Sequence, residues 1–168
     1  MALEPAAVAA AVAEIEAAFA GLTPPGDAKL LHPQCCDDGD VMDFYGAPAA
    51  ASLSDETIVR NYAASSFFSA EAFRYYMPAF MLWALRHCDS IEYAPEATLR
   101  AFDPDSAGPE LRAFQLSKFA RFSEPERRAV VHFLKAFAAH PHLGPLAEAA
   151  LANHWHRYDP AVTPGGLG

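Results

Sequence analysis

The densest group of reactive side chains in the sequence is His32-Pro-Gln-Cys35-Cys36-Asp37-Asp38-Gly-Asp40. Imidazole, thiol and carboxylate crowd one short segment, the donor set that holds zinc or iron. The expected ligands are His32, Cys35, Cys36 and Asp38. The pattern is incomplete, because no second Cys-x-x-Cys pair exists and adjacent cysteines fit one tetrahedral ion poorly. A closing ligand would come from His140, His142, His154 or His156. The competing reading is a loop with incidental cysteines and a capping aspartate. Asp37, Asp38 and Asp40 also miss the calcium-loop template, whose glycine and final acid stand elsewhere. A thiol enzyme would need Cys35, Cys36 or Cys88 beside a base. His87 precedes Cys88, but adjacent residues on a helix point in different directions.

A second candidate is Arg74-Tyr75 with Pro78. Proline inside a helix cannot donate to the carbonyl four residues back and crowds it, at a cost of about 3 kcal/mol. The expected result is a kink that frees a carbonyl, and with it a small-molecule notch lined by Arg74, Tyr75 and Pro78. The plain alternative is a bend that lets a long helix follow its core. No Gly-rich phosphate loop, Gly-x-Ser-x-Gly elbow or HExxH motif is present.

The elements that must hold these residues read as helices. Ser69 to Cys88 is the longest apolar periodic run, with Phe73, Tyr76, Met77, Phe80, Ala84 and Leu85 on one face and Met81, Leu82 and Trp83 beside it. Such a helix is expected to be surrounded rather than to rest on a core. Ser69 suits its N-cap. A helix over 4–21 carries Val8, Val12, Ile15 and Phe19 on one stripe. From 23 to 53 no period appears beyond a short helix at 40–45, with Asp38 as its cap and Val41, Phe44 and Tyr45 buried. Ser54 opens a helix with Ile58, Val59 and Tyr62 inward. A short helix follows Pro95 over 96–102, and 111–119 reads as a helical turn or irregular packing on Phe114 and Phe119. Ser123 and Glu126 have capping-box spacing ahead of a stripe of Val130, Phe133, Leu134 and Phe137. A last helix, 145–156, buries Leu146, Ala150 and Trp155. No alternating strand pattern occurs. The expected fold is all-α: one irregular helical bundle over 1–158 around a proline-kinked central helix, with a disordered tail over 159–168.

Two stretches carry a resemblance. They are Phe73-Arg74-Tyr75-Tyr76-Met77-Pro78-Ala79 and Phe122-Ser123 with Glu126 and Val130-Val131-His132-Phe133-Leu134. The chain resembles a family of small bacterial proteins of unknown function, DUF6714, over residues 10 to 140. The resemblance implies the helical fold and relates His32 and Cys35-Cys36-Asp37-Asp38 to an upstream Cys-and-acid segment. It implies no activity.

Charge placement narrows function further. Residues 1–56 hold ten acids against Lys29 alone, which accounts for the entire net charge of −9. The remainder is balanced. An acidic end repels nucleic acid and anionic membranes and attracts a basic protein partner, unless it merely solubilises. Three cysteines make no disulfide framework, no apolar run reaches membrane length, and no basic segment precedes an apolar one at the N-terminus. A cytoplasmic location is expected. The leading expectation is a non-catalytic interaction protein of immunity or regulatory kind. The alternatives are a metal or thiol enzyme at the Cys35-Cys36 segment and a small-molecule binder at the Pro78 notch.

Overall fold

Ser69 starts the element on which the others pack. In the computed structural model, which describes residues 2–162, its hydroxyl accepts from the Ala72 amide at 3.0 Å and opens the helix Ala70–Arg86. Glu71 in the first turn and Arg86 in the last each oppose the partial charge at their helix end. In chain order the helices are α1 (Pro5–Ala18), α2 (Asp55–Arg60), α3 (Ala70–Arg86), α4 (Ala94–Ala101), α5 (Arg112–Lys118), α6 (Glu124–Phe137) and α7 (Gly144–Asn153), joined partly by short 3₁₀ turns. The class is all-α. The only extended pairing among the described residues is a single antiparallel bridge between Leu31 and Phe68. No helix among them is long and apolar enough to cross a membrane.

Helix α3 is buried on nearly every side. Phe73, Tyr76, Met77, Met81 and Ala84 are fully inaccessible, and Phe80, Leu85 and Trp83 nearly so. It touches α1, α2, α4, α5 and the 3₁₀ turn Ala50–Ser52. Pro78 lies inside it and is buried, and the helix runs on through Arg86. One end of its core is an aromatic nest, where Phe102 meets Phe73 (5.6 Å between centroids), Phe133 (5.9 Å) and Trp155 (5.8 Å). Trp155 also donates its indole N–H to the Phe102 carbonyl at 2.7 Å, so its one polar atom is satisfied in the dry interior. Helix α1 lies along α6, and Phe19 meets Phe122 edge-on at 5.7 Å.

The aperiodic segment is folded onto α3 rather than left loose. His32 N–H donates to Phe67 C=O at 2.7 Å, and Ser69 N–H to Leu30 C=O at 2.9 Å. Tyr76 O–H donates to Pro48 C=O at 3.0 Å. Phe44 inserts beside Phe68, Tyr76 and Phe80 at 5.0, 4.8 and 6.4 Å. The turn at 39–44 is 3₁₀ and buries Val41 and Phe44 as expected. Tyr45 departs from expectation and is 37% exposed, because the backbone turns extended at that residue and takes its ring out of the stripe. Asp38 stands at the cap position without capping; its carboxylate takes the Tyr45 hydroxyl instead, at 2.9 Å. Tyr62 is also turned outward, since α2 ends at Arg60 before the period reaches it. Leu146 is only half-buried.

The capping box on α6 forms as its spacing predicts, with Ser123 N–H donating to the Glu126 carboxylate at 2.8 Å. The last helix ends at Asn153, and a 3₁₀ turn Trp155–Tyr158 follows. Asp159, placed at the start of the expected tail, is buried and takes the Lys135 ammonium at 3.0 Å. Residues 163–168 of that tail lie outside the described residues.

Candidate functional site

The seven acids between Asp27 and Glu56 lie in the segment that holds the 39–44 turn and at the start of α2, and each is exposed. Local hydrogen bonds fix their places. Asp27 accepts from Gly46 N–H at 2.9 Å, where the chain adopts φ of +82° that favours glycine. Asp37 accepts from Gly39 N–H at 2.9 Å. Asp43 accepts from Asn61 at 2.7 Å and from Arg60 at 2.9 and 3.1 Å, and Glu56 takes the other arm of Arg60 at 3.2 Å. The Asn61 hydrogen bond, with Arg60 behind it, holds the Asp43 carboxyl below its ordinary value. The Asp38 carboxylate raises the Tyr45 hydroxyl by accepting its proton in a hydrogen bond. Lys29 and Arg60 are the cations interleaved with these seven carboxylates, so the segment stays strongly negative. Among the acids stand Met42, 57% exposed, and Tyr45. The remaining acids of the N-terminal third lie elsewhere, on or beside α1, where Glu14 meets His132 and Glu16 meets Arg86 at 3.9 Å.

The metal candidates are not brought together. His32 is buried, with its ring against Phe114 at 4.4 Å between centroids. Its Nδ1 accepts from Gln34 N–H at 3.1 Å. Its Nε2 therefore carries the proton and donates to the Ser117 hydroxyl at 3.0 Å, which in turn donates to Phe114 C=O at 2.6 Å. Burial and then the Lys118 ammonium lower its pKa, so this imidazole stays neutral and structural. Burial pushes the Cys35 thiol up, which Lys118 only partly opposes, the reverse of an activated thiolate. Cys36 is exposed. Among the described residues no three His, Cys, Asp or Glu side chains sit where they could share a metal ion.

The notch residues divide. Arg74 grips the α6 carboxylate Glu126 with Nε at 3.0 Å to each oxygen and a terminal nitrogen at 2.7 Å. The Tyr75 hydroxyl accepts from Ala50 N–H at 3.2 Å. Both line a groove of about 480 Å³ together with Lys29, Glu71 and Arg121, and the last two pair with each other at 2.8 Å. Pro78 does not line it. Arg74 and Tyr75 are committed to holding α6 and the turn at Ala50.

One pair of residues escaped the sequence reading. Gln115 and Lys118 lie one turn apart on α5 and are 7% and 1% exposed. The available signal was their helical spacing with Phe114, which puts a lysine on a face that packs inward.

No curated protein and no solved structure matches the chain. A family described as being of unknown function, DUF6714, matches residues 10–159. That span runs from within α1 through Asp159 and takes in α2 to α7, including the part-buried Arg74–Glu126 clasp and the segment that carries the acids. The chain belongs to the DUF6714 family.

Proposed function

We propose that this protein is a non-catalytic interaction subunit that presents the acidic face around Asp27–Glu56 to a basic protein partner. The observation that carries the reading is the placement of Met42 and Tyr45, exposed apolar side chains, within a field of carboxylates. Met42 and Tyr45 set apolar area beside the carboxylates, the mix of apolar and polar surface found at interfaces. In a binding face, apolar contact supplies affinity while charge speeds encounter and sets partner choice. The same field disfavours nucleic acid and anionic lipid. The fold holds the face ready: Asp43–Arg60–Glu56 and Asp38–Tyr45 fix the turn that displays it.

The test is affinity capture from the host at low salt, with the wild-type protein run beside the triple variant Asp37→Lys, Asp40→Lys, Met42→Ser. The expected outcome is a basic protein retained by the wild type, eluted by raised salt and absent from the variant. Equal retention of the same proteins by both baits would overturn the proposal.

A further inference from the structure

The cavity between α4, α5 and the 3₁₀ turn Ala64–Ser66 holds an unmet electrostatic demand. It measures about 200 Å³. Lys118, only 1% exposed, lines it. Its ammonium donates to Ser65 C=O at 3.2 Å and lies over the Phe114 and Phe73 rings at 4.8 and 5.8 Å. No carboxylate among the described residues pairs with it. A buried cation without a counter-ion is costly, and one carbonyl with two ring faces leaves donors unused. Gln115, one turn earlier on the same face, lines the cavity too, and its amide oxygen is buried with no hydrogen-bond partner. Two residues that line the cavity thus carry buried polar groups without their complements, an anion for Lys118 and a donor for Gln115. The mouth is flanked by Tyr62 and Tyr93, edge-to-face at 5.2 Å, and by Arg100, whose guanidinium is taken by Glu96 at 2.9 Å.

We propose that this cavity binds a small organic carboxylate bearing a hydroxyl or amino donor, with Lys118 as its counter-ion and Gln115 as the acceptor of its donor. The size sets the class. Drug-sized sites run to about 300–1,000 Å³, so this one takes a fragment-sized acid. The ring pair at the mouth and the alanine wall of α4, Ala97 and Ala101, suit a flat or short apolar body. Chloride lacks the donor, and inorganic phosphate, which has one, lacks the apolar body. The site is separate from the acidic face, and neither proposal depends on the other. Burial brings the Lys118 pKa down to about 8, within reach of a pH titration. The other ionisable groups around Lys118 and the cavity are Cys35, His32, Arg100, Tyr62 and Tyr93.

The experiment titrates the full chain with lactate and with 4-hydroxybenzoate, following backbone amide shifts and melting temperature, with chloride, inorganic phosphate and neutral benzamide as controls. The expected result is saturable shifts at 62–66, 97–101 and 115–118 with one or both acids, absent with the controls. Lys118→Met should abolish them, and Gln115→Leu should weaken them. Should Lys118→Met not fold, wild-type affinity serves instead, and is expected to be about tenfold weaker at pH 9 than at pH 7 as the ammonium is lost. Any of three results overturns the proposal: no shift with either acid, equal shifts with phosphate or chloride, or acid binding that neither the variant nor pH alters.

Discussion

Arg74 shows how one residue can be read for a ligand and be spent on the fold. Glu126 is 2% exposed in its side chain and receives both the Arg74 fork and the Ser123 amide, so one carboxylate caps α6 and clasps it to α3. Removing Glu126 leaves the Arg74 guanidinium, 32% exposed in its side chain, only partly compensated by water. Glu126→Ala is expected to lower stability by about 2–4 kcal/mol in urea unfolding, and Ser123→Ala by about 1 kcal/mol. The capping box was plain in the sequence because it is local; the arginine 52 positions away was not, because no periodicity links them. His154 offers a pH prediction. It sits among Phe119, Trp155 and Tyr158, and burial first, then Arg157, Arg112 and Arg127, brings its pKa down to about 4. The unfolded chain takes up this proton near 6.5 and the folded one only near 4. Stability is therefore full above 6.5 and falls as pH drops between those values. His154→Phe keeps the ring, and is expected to remove on the order of 2 kcal/mol of that loss when unfolding free energies at pH 7 and pH 4 are compared.

Elements with a 3.6-residue period were readable from their own residues: α1, α3 and α6 lie close to where their stripes put them. The 23–53 segment was not, since its order comes from distant groups. Phe44 fills a hole made by Phe68, Tyr76 and Phe80, and Pro48 C=O and Ala50 N–H end on Tyr76 and Tyr75. Nothing in the local sequence names those partners. The outward turn of Tyr45 and Tyr62 has the same origin, because a 3₁₀ turn and a short helix end before the stripe does. Phe44→Ala is expected to cost about 3–5 kcal/mol. Hydrogen exchange should show amide protection lost first over residues 27–53, with α3 and α6 retained; uniform loss across the chain would contradict this docking.

Across the molecule the net charge of −9 resolves into two places with different fates. On α1 the acids are met by His132 and Arg86 from the helical body. Around the 39–44 turn Arg60 takes Asp43 and Glu56, and the seven carboxylates still outnumber the cations beside them. The sequence revealed the imbalance but not this division, which depends on which helices lie beneath. The cysteine segment taught the opposite lesson: reactive side chains adjacent in sequence were drawn apart, with His32 in the core and Cys36 at the surface. The most direct measurement is a hydrogen-exchange footprint of the protein bound to its captured partner. Protection concentrated on residues 37–45 and 55–60, and lost in the charge-reversed variant, is the predicted result. Protection centred on α1 or α7 instead, with the 37–45 turn unchanged, would contradict the account.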